Sequence, residues 1–125
     1  MISDEVRRFV LTSIPSVPYL EAALLFRAQS GPERTPLEVA RALYLDERSV
    51  ADLLEALCAG GILQRAPADE PRYRYAPRDD ALARALDQLA VAYADDLVGV
   101  TNLIHDATQK KALRFANAFR LRKDA

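Results

Sequence analysis

The sequence is poor in the residues that bind metals, form disulfides or build phosphate loops. Its 125 residues include one cysteine, one histidine and four glycines. A lone Cys58 cannot form a disulfide within the chain, and a lone His105 cannot build a histidine-based zinc site or a Ser-His-Asp triad. Four scattered glycines do not make a glycine-rich phosphate loop. We therefore expect no cofactor, no metal site and no enzymatic activity.

Long hydrophobic runs and an excess of charge of either sign are also missing. No run of about 18 apolar residues occurs, so no membrane-spanning helix is expected. The first ten residues place acids before any apolar stretch, unlike a signal peptide. The net charge is −1 and aromatic residues make up 7% of a chain that is half hydrophobic. These features favour an α-rich cytoplasmic protein that has no membrane partner.

Capping residues and apolar spacing predict four helices in the first half of the chain. Ser3 caps a helix over 4–13, and a second helix begins near Pro18 and ends near Gln29. Thr35, Pro36 and Glu38 form a capping box at the start of the third. Asp46 caps the fourth, over 47–59, which ends at a glycine pair. Its apolar stripe consists of Val50, Leu53, Leu54 and Leu57.

Two short strand-like runs and a long helix follow. "ILQRA" and "RYRYA", separated by "PADEP", predict a β-hairpin over 62–76. Residues 79–106 then predict one continuous helix of about 42 Å. Seven apolar residues of that helix recur at near-heptad spacing and predict a dimer interface, although they could instead cover the open side of a monomer. They are Leu82, Leu86, Leu89, Tyr93, Leu97, Val100 and Ile104.

One pattern of apolar, capping and glycine positions runs through residues 36–76. It consists of Val39, Ala40, Leu43, Leu45, Asp46, Val50, Leu53, Leu54, Leu57, Gly61, Ile62 and Leu63. With this pattern the segment resembles the winged helix-turn-helix of MarR-like and ArsR-like bacterial transcriptional regulators. Tyr44 departs from the pattern, because that turn commonly has glycine. Asp52 also departs from it, because a basic or polar residue often stands there.

The resemblance implies DNA binding through the helix over 47–59 and through the hairpin, or wing. It implies nucleic-acid-binding roles for Arg48, Ser49, Asp52, Arg65, Arg72 and Arg74. Residues 36–76 nevertheless hold five bases and seven acids, whereas DNA-binding modules are usually positive. The wing arginines could instead solvate their strand and pair with Asp69 and Glu70.

The last part of the chain has a strong charge asymmetry. Residues 79–106 carry six acids and one base, and residues 107–125 carry six bases and one acid. The basic tail could pack on the acidic helix of its own or a partner chain, or contact nucleic acid or an acidic protein. Its bases are Lys110, Lys111, Arg114, Arg120, Arg122 and Lys123.

The sequence thus predicts a mainly α fold with a small β-hairpin, a winged helix-turn-helix followed by a long C-terminal dimerisation helix. Residues 1–78 form the winged domain, with the helix-turn-helix at 36–59, and residues 79–125 form the long helix and basic tail. We expect a homodimeric transcriptional regulator that binds double-stranded DNA. The alternative is a winged-helix module that binds no DNA and docks a protein through the acidic helix over 47–59 or through the basic tail.

Overall fold

Six helices and one hairpin make up the part of the chain that the structure describes. The computed structural model describes residues 2–124, with side chains as far as Ala118. In chain order the elements are α1 (Asp4–Ser13), α2 (Val17–Ala28), α3 (Pro36–Leu43), α4 (Glu47–Ala59), β1 (Leu63–Ala66), β2 (Arg72–Tyr75), α5 (Asp80–Asp95) and α6 (Leu97–Asp124). The expected α-rich winged helix-turn-helix with a small hairpin is confirmed.

The helices begin where side chains cap their first backbone N–H groups. Ser3 Oγ accepts from the Val6 N–H at 3.2 Å. Thr35 and Glu38 form the expected capping box, with the Glu38 N–H 3.3 Å from Thr35 Oγ1. Since each cap satisfies an N–H that lacks a partner in its helix, these residues fix the helix starts that the sequence predicted.

The single long helix over 79–106 was a wrong prediction. The chain breaks at Asp96, whose φ of −145° and ψ of 69° end α5. The Asp96 carboxylate then accepts from the Gly99 N–H at 2.9 Å and so caps α6. A Cβ at Gly99 would collide with that carboxylate, and glycine leaves room for it. Asp96 and Gly99 therefore divide the expected helix in two.

The C-terminal helices share one core with the N-terminal part of the chain. Helix α1 packs on both α5 and α6, while α2 packs on α3, α4 and β2. Of the seven seam residues, Leu86, Leu89, Val100 and Ile104 are buried in this core, and Leu82 and Tyr93 are partly buried against it. Leu97, the remaining seam residue, is 54% exposed. As dimer contacts the seven stay a prediction, but most of them already have partners within the chain.

The hairpin has a third backbone partner that the sequence did not predict. Strands β1 and β2 pair antiparallel with Leu63 opposite Tyr75 and Arg65 opposite Tyr73. Arg34, expected in a loop, forms an antiparallel bridge with Tyr73 through two N–H···O bonds of 2.9 Å. Because Tyr73 pairs on both sides, it lies between β1 and the isolated bridge to Arg34. The wing is thereby attached to the start of α3.

Residues 2–124 contain no single helix with the length and apolar character needed to cross a membrane. Helices α1 and α2, bent by 112° relative to one another, reach that threshold only when they are taken together.

Candidate nucleic-acid interface

Helix α4 is held with one face in the core and the other on the surface. Val50, Leu54 and Leu57 are buried and anchor it. At its start Asp46 Oδ1 accepts from the Ser49 N–H at 2.8 Å. Hydrogen bonds from Ser49 hold the pKa of Asp46 below its usual value, so this cap stays ionised at neutral pH. The helix is therefore a rigid platform for whatever its outer face contacts.

Three of the predicted DNA-contacting residues lie on the exposed side of α4. Arg48, Ser49 and Asp52 are all exposed, and Arg48 and Asp52 are one helical turn apart. Arginine can donate to guanine and a carboxylate can accept from the cytosine amino group in a major groove. The face can therefore make base contacts, although its single cation gives it little attraction for phosphates.

The turn between α3 and α4 is closed by an unusual residue. Tyr44 takes the left-handed conformation with φ 56°, where the resembled pattern has glycine. The next residue's N–H, on Leu45, donates to the Ala40 carbonyl at 3.0 Å. The Tyr44 side chain is 95% exposed and so has no packing that offsets the backbone strain. The helix-turn-helix geometry is preserved at an energetic cost.

The three wing arginines differ in their surroundings. Arg74 is exposed, and its guanidinium donates to Gln64 Oε1 across the hairpin at 2.7 Å. Arg72 is half-buried and lies within electrostatic range of Glu38. Arg65 forms an ion pair with Glu55 on α4, with Nη1 and Oε1 3.1 Å apart. In the described part of the chain, Asp69 and Glu70 form no ion pair with these arginines. The acid that pairs with the wing is Glu55, which the sequence did not predict as a partner.

Glu55 joins the wing to α4. Its Oε1 accepts from the buried Tyr73 hydroxyl at 2.6 Å as well as from Arg65. The pKa of Tyr73 is raised to about 12. Burial of the side chain is the larger cause, and the hydrogen bond to Glu55 is the next. Tyr73 therefore remains a proton donor at neutral pH, and this contact keeps β2 against α4. The hydrophobic pattern of the sequence places Tyr73 in the hairpin but gives no indication of its partner.

Three of the seven acids in residues 36–76 are engaged within the fold. Glu38 and Asp46 cap helices, and Glu55 binds Arg65 and Tyr73. The capping carboxylates lie at helix starts, where the helix dipole provides about half a positive charge. In the described part of the chain, no ion pair forms on the other four acids, which are Glu47, Asp52, Asp69 and Glu70. The negative charge of residues 36–76 is thus partly compensated by helix starts and by Arg65.

An open groove of about 670 Å³ lies between the starts of α3 and α4 and the tip of the wing. Its floor is apolar and its only charged groups are two carboxylates and one guanidinium. It is lined by Thr35, Pro36, Leu37, Glu47, Arg48, Ala51, Glu70 and Pro71. The groove brings the α4 face and the wing tip together, so one ligand can contact both.

The basic tail forms the C-terminal part of α6. Every described side chain from Gln109 to Ala118 is exposed, including Lys110, Lys111 and Arg114. In the described part of the chain, no ion pair joins these bases to the acids of α5. The side chains of Arg120, Arg122 and Lys123 lie outside the described residues. Packing of the tail on the chain's own acidic helix is therefore not observed for the three described bases.

The lone cysteine and the lone histidine lie on different helices. Cys58 is half-buried beside the α4 stripe, and burial, followed by the nearby charge of Glu55, raises the pKa of its thiol. His105 is exposed on α6. Within residues 2–124, no group of three or more His, Cys, Asp or Glu side chains is placed to hold a metal ion.

The packed helix-turn-helix, the α4 platform and the attached hairpin define a winged helix-turn-helix protein. The chain is similar in structure to a MarR family protein from Bacillus stearothermophilus, with a TM-score of 0.51 and 20% sequence identity. The match covers 94% of this chain and 80% of that one. No protein-family model matches the sequence, and no curated protein matches it either. The likeness establishes the fold, including the helices that flank the winged core.

Proposed function

We propose that the protein is a dimeric transcriptional regulator that binds double-stranded DNA and acts by binding, not by catalysis. Its site of action would be the bacterial cytoplasm. The observation that carries the proposal is the continuous surface formed by α4 and the wing, on a fold shared with a MarR family protein. In winged-helix proteins such a helix reads the major groove while other elements contact the backbone.

The positions of the cations fit this role. Arg48 would reach base edges or phosphates from α4, while Arg72 and Arg74 would contact the backbone from β2. Ser49 would contact a phosphate, and Asp52 would accept from a cytosine. One such module has few cations, so useful affinity requires two copies that bind together.

The proposed dimer uses exposed apolar residues near the start and near the end of α6. Leu97 and Phe115 are 54% and 75% exposed and stand about five helical turns apart, on the same side. Val98 is also exposed on this half of the helix. The described side chains from Gln109 to Ala118 are all exposed, so a second copy packed there would bury apolar surface and stabilise this part of α6. Leu97 belongs to the seam predicted from the sequence and Phe115 lies beyond it, while most of the other seam residues lie in the core.

A salt titration of duplex binding tests the DNA role. With a random-sequence duplex, log K should fall linearly with log salt, and Arg72→Ala and Arg74→Ala should each reduce the slope by about 0.9 per subunit. Arg7→Ala, exposed on α1, is the matched control and should leave the slope unchanged. If native protein does not bind any duplex at low salt, the DNA role is wrong and the alternative of a protein-docking module replaces it.

A further inference from the structure

Glu55 is the one acid of α4 that reaches the wing. Arg65 and Tyr73 are opposite one another in the hairpin, so their side chains lie on the same side of it. Both donate to the same atom, Glu55 Oε1, at 3.1 Å and 2.6 Å. A single carboxylate oxygen thereby fixes a buried tyrosine and an exposed arginine of the wing.

The two contacts of Glu55 differ in how easily they can be exchanged. Tyr73 is 2% exposed, so its side chain is almost entirely shielded from solvent. The side chains of Arg65 and Glu55 are each more than half exposed. Exposed ion pairs contribute little to stability, so another anion can replace Glu55 on Arg65 without disturbing the fold. A DNA phosphate is such an anion, and it can also form bidentate hydrogen bonds with the arginine guanidinium.

We propose that Glu55 is a positioning residue that holds Arg65 against α4, and that a DNA phosphate must displace it before Arg65 contacts the duplex. This inference rests on the proposed DNA role. Glu55 then weakens non-specific binding, because each encounter with DNA must first break the Glu55–Arg65 pair. Arg74 offers the comparison, since its partner Gln64 is uncharged and has no such hold on it.

The test compares two arginines in two backgrounds by salt titration on a random-sequence duplex. Glu55→Gln keeps an oxygen that can accept from Tyr73 but removes the charge that holds Arg65. In this background Arg65→Ala should reduce the slope of log K against log salt by about 0.9 per subunit. Between 50 and 200 mM salt, the variant should then lose about 3.5-fold less affinity than the protein that keeps Arg65. In the native background the reduction should be clearly smaller. Arg74→Ala should have the same effect in both.

The possible results separate the two proposals. If native protein binds DNA and Arg65→Ala has an effect of equal size in both backgrounds, the inferred role of Glu55 is wrong and the DNA role still stands. Failure of all variants and of native protein to bind duplex overturns the DNA role and this inference with it. Asp52→Asn, which also removes an acid from the exposed side of α4, should leave the Arg65→Ala effect unchanged.

A measurement on the native chain covers the case in which Glu55→Gln does not fold. The side-chain NMR resonance of the Arg65 guanidinium should shift when random duplex is added, while the ring resonances of buried Tyr73 stay in place. An Arg65 resonance that keeps its DNA-free position in the saturated complex would show that the pair remains closed, and would overturn the inference.

Discussion

The hydroxyl of Tyr73 donates to Glu55 across 2.6 Å, which ties the middle of the wing to the outer side of α4. Arg34 pairs with the same tyrosine through the backbone. Tyr73 therefore connects the segment before α3 and the hairpin to α4, and the hairpin and α4 form the proposed DNA-binding surface.

The raised pKa of Tyr73 predicts a loss of stability in alkali. Its pKa is 10.0 when unperturbed and about 12 in the folded chain, so the folded state holds the proton more tightly. Between these pH values unfolding releases a proton, and the free energy of unfolding falls as pH rises. Urea unfolding across this range should show a smaller fall for Tyr73→Phe than for native protein. An equal fall in both would contradict the assignment, and Tyr44→Phe controls for loss of a hydroxyl.

Replacing Tyr44 with glycine should stabilise the protein. Tyr44 holds φ at 56° with an exposed side chain, so glycine removes the strain and loses no packing. Allowing for the greater entropy of an unfolded glycine, we expect a gain of about 0.5–1 kcal/mol in urea unfolding. Tyr44→Ala keeps the strained φ and should give no such gain. If glycine destabilises the protein more than alanine does, the turn geometry is wrong.

Gly99→Ala distinguishes two helices from one. In a continuous helix this change would stabilise the protein by about 0.5–1 kcal/mol. Here the new Cβ would displace the Asp96 carboxylate that caps α6, so we expect a loss of about 1 kcal/mol, with a similar loss for Asp96→Ala. Thermal or urea unfolding measures both. If Gly99→Ala stabilises the protein, the division into two helices is wrong and residues 79–106 form one continuous helix.

Phe115→Glu should dissociate the proposed dimer. Phe115 is 75% exposed on α6, and a carboxylate there would have to be buried in the proposed interface. We expect dimerisation to weaken at least about tenfold. Sedimentation should then show the 13.9 kDa monomer at concentrations where native protein is dimeric. Asn117→Glu, exposed elsewhere on the same helix, is the control, and a native protein that is monomeric at micromolar concentration contradicts the proposal.

Local rules were enough to predict the winged core. The caps at Ser3, Thr35 and Asp46 define their helix starts, and the bounds of α4 agree with the prediction because cap, apolar stripe and glycine stop coincide. The hairpin follows from alternation over "RYRY". Each of these features depends on residues a few positions apart, which a sequence displays directly.

The remaining features depend on contacts between distant residues. Arg34 pairs with Tyr73, and Glu55 with Arg65, only because folding brings their elements together. The break at Asp96 was indicated locally by an aspartate three residues before a glycine, but the apolar spacing of the seam continues across it. That spacing proved to mark the chain's own core at most positions, since burial within one chain and burial between two chains use the same residues.

Amide NMR mapping with a low-salt, random-sequence duplex tests the central claim most directly. The proposed function predicts that the backbone amides of Arg48, Ser49 and Asp52 on α4, and of Arg72 and Arg74 on the wing, shift together as duplex is added. Amides of α1 should remain unchanged. Shifts confined to the basic end of α6, or the absence of any shift, would contradict DNA binding through α4 and the wing.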